Sequence, residues 1–157
     1  IGQKTGFNMQ ALGTRMVAYN MSVNRELTER GISYVSLEDL LRESDIVSLH
    51  LPLTSETENL ISSKELELFK KSAILINTAR GKLVDTFALS KALQEGKIAG
   101  AAIDVFATEP PRPADHPLLK APNCILSPHI GYATHEAIEL RTEIIMGKVV
   151  DWLKNLS

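Results

Sequence analysis

Five short apolar runs constrain the fold of this chain more than any other feature of it. They occupy residues 15–19, 44–51, 73–76, 99–103 and 124–126. Each is the length of a strand, and they read as continuous rather than alternating. Strands buried on both faces have that pattern, so a parallel sheet covered by helices is predicted. The intervening segments carry helix signals. Gly2 precedes a predicted helix over 3–12. Ser62-Ser63-Lys64-Glu65 has capping-box spacing ahead of Leu66, Leu68 and Phe69. Asp85 is placed to cap a helix over 86–95, with Phe87, Leu89 and Leu93 as its apolar side and Gly96 as its stop. A last helix is predicted from near Thr134, along which Ile138, Ile145, Val149, Trp152 and Leu156 recur at helical spacing. Residues 110–117 read as a proline-rich loop. Alternating strands and helices imply an α/β, doubly wound parallel sheet. Right-handed crossovers then bring every strand's carboxyl end to one edge, where open α/β sheets build their ligand sites.

Composition narrows the functional classes. With 157 residues, one domain is the default, and an apolar fraction of 44% is enough for a core. The net charge is −2 with both signs spread along the chain, so no basic block points to nucleic acid or a membrane surface. The apolar runs are too short to span a bilayer. Cys124 is the only cysteine, which excludes an internal disulfide and fits a reducing, cytoplasmic compartment. Its flanks suggest a buried, unreactive thiol. No metal site is assigned. The chain opens on Ile1-Gly2 without an initiator Met or a signal-peptide pattern, and this start reads as an entry into the middle of a motif.

Three segments follow apolar runs and carry the chemistry. They are Asn77-Thr78-Ala79-Arg80-Gly81, then Asp104-Val105-Phe106-Ala107-Thr108-Glu109-Pro110, then Ser127-Pro128-His129-Ile130-Gly131. With Pro52, which ends the run at 44–51, the fold brings Arg80, Asp104 and His129 to one edge. A guanidinium at Arg80 suits a substrate carboxylate, although alone a loop arginine is an ordinary surface residue. His129 is either a proton donor or a satisfied structural histidine. Glu109 either orients His129 and raises its pKa or is a solvated loop charge. Asp104 either accepts a hydrogen bond from a nicotinamide amide or caps a turn. His50 reads as a support behind the site, and His116 and His135 as structural. Gly2 has the position of the third glycine in a G-x-G-x-x-G nucleotide loop, a weak signal alone. Asn20 stands where that fingerprint places an acidic ribose ligand.

Taken together, these three segments resemble the signature of the D-isomer-specific 2-hydroxyacid dehydrogenases, in order and spacing, and the similarity extends over essentially the whole chain. The resemblance implies an NAD- or NADP-dependent oxidoreductase with a Rossmann fold that reduces a small 2-oxo acid to the D-2-hydroxy acid. It implies His129 as the proton donor, paired with Glu109, and Arg80 as the group that binds and polarises the 2-oxo acid. Ile1 and Gly2 would lie at the pyrophosphate, and Asp104 at the nicotinamide. Leu51, Pro52, Thr78, Ala79 and Gly131 would line the rest of the cofactor. Among family members, the proline-rich loop and Tyr132-Ala133-Thr134 look most like the glycerate dehydrogenases and hydroxypyruvate reductases.

Two departures from the family pattern bear on function. Asn20 replaces the Asp found in most NAD-using relatives and does not repel a 2′-phosphate, and Ser22 and Arg25 follow nearby. The first strand and the first two glycines of the nucleotide loop are absent before Ile1, as is a separate substrate domain. Residues 1–157 therefore read as a partial dinucleotide-binding domain, incomplete at its N-terminus, of a longer enzyme that is expected to be a homodimer. The strand before Ile1 would be central in a 3-2-1-4-5-6 order. Two other readings stay open at this point, a dinucleotide-sensing corepressor and a formate dehydrogenase. Glu109 argues against the second, where Gln is usual.

Overall fold

A computed structural model describes residues 1–108 and 114–156. Four strands form its larger sheet, all parallel and in chain order: β3 (Ile46–Leu49), β4 (Ile74–Asn77), β5 (Gly100–Ile103) and β6 (Cys124–Leu126). Their register decides where a site can form. Leu49 pairs with Asn77, Asn77 with Ile103, and Ile103 with Leu126. The strands therefore end level, and His50, Thr78, Asp104 and Ser127 emerge side by side, about 4.8 Å between neighbours. A second, two-stranded parallel sheet pairs β1 (Val17–Ala18) with β2 (Ser33–Tyr34). Among the described residues no ladder joins the two sheets. Helix α1 (Gly2–Ala11) lies against residues that flank each of them. A Cβ on Gly2 would lie 3.0 Å from the His50 Cβ, and one on Gly6 would lie 3.3 Å from the Ile32 Cδ1.

Local sequence signals account for the helices. Asn24 caps α2 (Arg25–Glu29) by accepting from the Glu26 N–H, and Ser36 caps α3 (Leu37–Glu43) by accepting from the Asp39 N–H. The sequence pattern did not mark β2, α2 or α3, which are too short to show a period. The capping box at Ser62 and Glu65 forms as expected and opens α4, but the helix is a single turn (Ser63–Leu66). Asp85 caps α5 (Thr86–Gln94), accepting from the Phe87 and Ala88 N–H groups at 3.0 Å each. Gly96, at φ +64°, ends that helical run in a conformation that favours glycine. Thr134 caps α6 (His135–Lys154) through the Ala137 N–H at 3.1 Å.

The core lies on one face of the large sheet. Val47, Leu49, Leu75, Ala101 and Ile103 pack with Leu41, Leu66, Phe69, Leu89 and Leu93. The prediction that the strands are buried on both faces is therefore corrected. Ile46, Ile74 and Ile125 point the other way and are 51%, 40% and 73% exposed. Continuous apolar character records what a strand can bury, while neighbouring elements decide what it does bury. Phe87 is a second correction, for it is exposed while Leu89 and Leu93 are buried. Residues two apart on a helix stand about 200° apart around its axis, so Phe87 faces away from Leu89. Cys124 is half-buried, and burial pushes its thiol up to about 11, which leaves it protonated and unreactive at neutral pH. No residue of α6 is buried, Ile138, Ile145, Val149 and Trp152 included. Among the described residues no helix is long and apolar enough to cross a membrane. This packing gives a direct test. Leu89→Ala should destabilise the protein by about 2–5 kcal/mol in chemical denaturation. Phe87→Ala should change stability by less than about 0.5 kcal/mol.

Candidate active site

Two loops leave the level strand ends, and each is fastened by one buried polar side chain. The first follows β4. Asn77 is 1% exposed. Its Oδ1 accepts from the Ala79 N–H at 3.0 Å, and its Nδ2 donates to the Arg80 carbonyl at 2.9 Å. This is an Asx-type turn with a second strut. Beyond it, Gly81 opens a 3₁₀ turn (Gly81–Leu83) at a point of close backbone approach. A Cβ at Gly81 would fall 2.0 Å from the Phe106 carbonyl carbon and 2.3 Å from its oxygen, so no side chain fits there. The His116 ring packs edge-on against Phe106, with centroids 5.2 Å apart. Arg80 is thus held between two fixed points. Its guanidinium is exposed at the sheet edge, with Nη1 donating to the Ala79 carbonyl at 2.6 Å.

The second loop follows β6 and closes around Asp104, which is 5% exposed. The Ser127 hydroxyl donates to Asp104 Oδ1 at 2.5 Å, and the Ile130 N–H donates to the same oxygen at 2.9 Å. The Gly131 N–H donates to Oδ2 at 2.8 Å. A Cβ at Gly131 would lie 3.0 Å from that oxygen, which accounts for the glycine. These bonds span His129 and hold it at φ +56°, a left-handed conformation that costs an L-residue about 1–2 kcal/mol. Burial alone would raise the Asp104 pKa. The hydrogen bonds from Ser127, Ile130 and Gly131, with the nearby His129, outweigh burial and lower it. The His129 ring stands edge-on to Tyr132 at 5.4 Å, and the Arg141 guanidinium lies 5.5 Å from the Tyr132 ring centroid. The two loops meet through one backbone bond, from the Asp104 N–H to the Asn77 carbonyl at 2.9 Å.

The structure thus joins Arg80, Asp104, His129 and Gly131 at one edge. Asp104 fits the turn-cap alternative of the sequence reading, with both oxygens already engaged by the His129 loop. Asn77 and Ser127 are the residues whose roles the sequence reading missed. For Asn77 the available signal was a polar residue closing an apolar run two positions before a backbone N–H that needs a partner. Glu109 lies outside the described residues. Leu51 is half-buried, and the Pro52 carbonyl accepts from the Thr57 hydroxyl at 2.7 Å. Thr78 is exposed and Ala79 half-buried beside Arg80. His50 backs the start of α1, with its Nε2 3.0 Å from the Ser48 hydroxyl. Burial pushes the His50 pKa down. Ile1 is exposed at the N-cap of α1 and Gly2 is its first residue. That helix end has neither a side-chain cap nor an acidic residue in its first turn. Its N–H groups suit a pyrophosphate, so the residues present fit a dinucleotide. Asn20 is exposed just past β1, with its Nδ2 3.5 Å from the Ser22 hydroxyl.

Because the folded pKa of Asp104 is depressed, its ionised form stabilises the native state. That contribution is fully present above the ordinary Asp value of about 3.9 and is lost as pH falls through the lower folded value. Asp104→Asn should therefore be less stable than the parent at neutral pH. The gap should close as the pH is lowered through and below about 4. Denaturant titrations of both proteins across that range check this, and a gap independent of pH would contradict it.

Comparison with known proteins gives this geometry a context. Residues 1–131 match the family described as D-isomer specific 2-hydroxyacid dehydrogenase, NAD binding domain. A glyoxylate reductase of Aeropyrum pernix is 54% identical over 137 residues, covering 87% of this chain and 41% of that protein. A hydroxypyruvate reductase of Blautia hydrogenotrophica is 40% identical over 154 residues, covering 98% of this chain and 48% of that protein. The solved D-isomer specific 2-hydroxyacid dehydrogenase of Lactobacillus delbrueckii ssp. bulgaricus, in its NAD-complexed form, superposes with a TM-score of 0.89 at 40% identity. That superposition covers 98% of this chain and 50% of the solved one. The chain thus spans about half the length of these relatives. With its parallel α/β fold and this match over residues 1–131, the chain belongs to the D-isomer-specific 2-hydroxyacid dehydrogenase family, matched over its NAD-binding domain.

Proposed function

We propose that the protein reduces small 2-oxo acids of the glyoxylate and hydroxypyruvate type to D-2-hydroxy acids, with NADH or NADPH as reductant. The observation that carries this reading is the pair of fastened loops, which present an arginine and a histidine at one sheet edge. The names of the similar reductases support the substrate class. When bound, the reduced nicotinamide supplies a hydride to the carbonyl carbon. Arg80 grips the substrate carboxylate with its planar fork and draws electron density from the adjacent carbonyl. Protonated His129 gives its proton to the carbonyl oxygen as the carbon gains the hydride, and becomes neutral. Glu109 is the proposed partner of His129 in that transfer. The first-turn N–H groups of α1 bind the pyrophosphate. Neutral Asn20, with the Ser22 hydroxyl beside it, accepts either a ribose hydroxyl or a 2′-phosphate.

Turnover of glyoxylate or hydroxypyruvate by the full-length protein tests the reading, and dinucleotide binding without turnover would favour a sensing role. In that protein His129→Ala should lower kcat by about 10²-fold or more, the scale of a lost general acid. An unchanged kcat would remove His129 from the mechanism. Cofactor choice provides a separate test. Asn20→Asp should raise the ratio of kcat/KM for NADH over NADPH, since a carboxylate there repels a 2′-phosphate. A ratio that stays constant would place Asn20 away from the adenosine ribose.

A further inference from the structure

We propose that Asn77 is the positioning residue for Arg80, its buried amide setting the backbone from which the guanidinium reaches the substrate carboxylate. This rests on the reading of Arg80 as the carboxylate grip. Arg80 is exposed at the sheet edge. Its guanidinium bonds only backward, to the Ala79 carbonyl, among the hydrogen bonds the structure gives it. The direction of the side chain is therefore inherited from the backbone of residues 79–80. Asn77 holds that backbone at two successive residues, by accepting from the Ala79 N–H and donating to the Arg80 carbonyl. The far side is held by Gly81 against Phe106, where a Cβ would sit 2.0 Å from the carbonyl carbon. Removing Asn77 releases one of these two holds and leaves the other.

The chemistry of the position selects asparagine. It needs an acceptor and a donor on one short planar group inside a nearly closed space. Aspartate offers the same shape with no donor and would set a carboxylate against the Arg80 carbonyl. Serine can still accept from the Ala79 N–H, as in turns closed by hydroxyls, but is too short to reach Arg80. Leucine would leave the Ala79 N–H without its partner, while the Arg80 carbonyl would keep only the Leu83 N–H at 3.2 Å. Asn77 also accepts, through its own carbonyl, from the N–H of Asp104, the residue that fastens the His129 loop. The two halves of the proposed chemistry thus hang from adjacent buried residues. A small rotation of the Arg80 backbone moves a long side chain far at its tip, and misplacement by about 1 Å is enough to cost about 10²-fold.

The experiment is steady-state glyoxylate reduction by the full-length protein carrying Asn77→Ser, Asn77→Asp, Arg80→Lys, or Asn77→Ser with Arg80→Lys. NADH affinity is measured by fluorescence titration and folding by thermal melts. We expect Asn77→Ser to raise KM for glyoxylate by roughly 10- to 100-fold, with NADH affinity little changed. Asn77→Asp should do the same. The double variant should be hardly worse than Arg80→Lys alone, because both substitutions remove one interaction. A cooperatively melting Asn77→Ser protein with unchanged KM would overturn the proposal. Fully additive losses would overturn it too, as would loss of cooperative melting in both Asn77 variants, which would make Asn77 a folding residue. If Arg80→Lys itself left KM unchanged, the grip assigned to Arg80 would fall and this proposal with it. A KM that rises for Arg80→Lys but not for Asn77→Ser would overturn only the role of Asn77.

Discussion

Parallel strands that stop in register leave polar backbone groups at the same level with no further ladder to satisfy them. Buried groups of this kind cost about 1–3 kcal/mol each if left unpaired. The chain meets that requirement beyond β4 and β5 with side chains. Asn77 satisfies the Ala79 N–H and the Arg80 carbonyl, and Asp104 satisfies the Ile130 and Gly131 N–H groups. Neither loop is free to wander, because each is tied to a residue that the sheet itself fixes. The Asp104 N–H to Asn77 carbonyl bond then makes the two ties a single unit.

That unit also stores strain where chemistry is proposed. His129 sits in a left-handed conformation that its own side chain disfavours. It persists because three donors from the surrounding loop converge on one carboxylate, and Asp104 stays ionised to receive them. Strained residues cluster at functional sites when their surroundings over-determine them.

Packing is uneven across the molecule. The four-stranded sheet is well covered on one face by α4, α5 and α3, and its opposite face carries exposed isoleucines. The two-stranded sheet depends on α1, whose Gly6 lets Ile32 approach closely. Surface pairs such as Arg15 with Glu43 at 3.1 Å, both exposed, add little to this. The proposed substrate chemistry stands on the four-stranded sheet, and the adenosine contacts proposed for Asn20 stand on the smaller sheet.

How much of this was legible in the residues follows from what each depends on. Apolar runs, the cap at Asp85, the capping box at Ser62 and the helix start at Thr134 are local, because a hydrogen bond between near neighbours leaves its mark within a few residues. The parallel α/β class and the gathering of Arg80, Asp104 and His129 at one edge followed from those local marks and from handedness. Strands of two residues left too little pattern to read, so β1 was overdrawn and β2 went unseen. The exposure of Phe87, Ile46, Ile74 and Ile125 was hidden for another reason, since it depends on which elements pack against a face. The roles of Asn77, Ser127 and Gly81 belong wholly to the tertiary structure. Their partners lie on other residues' backbones, and Gly81 meets Phe106 only once β4 and β5 lie side by side. The sequence alone therefore determined which chemical groups would stand at the edge. The tertiary structure decided how they are held there, because contacts between strands distant in the chain exist only after the register is set.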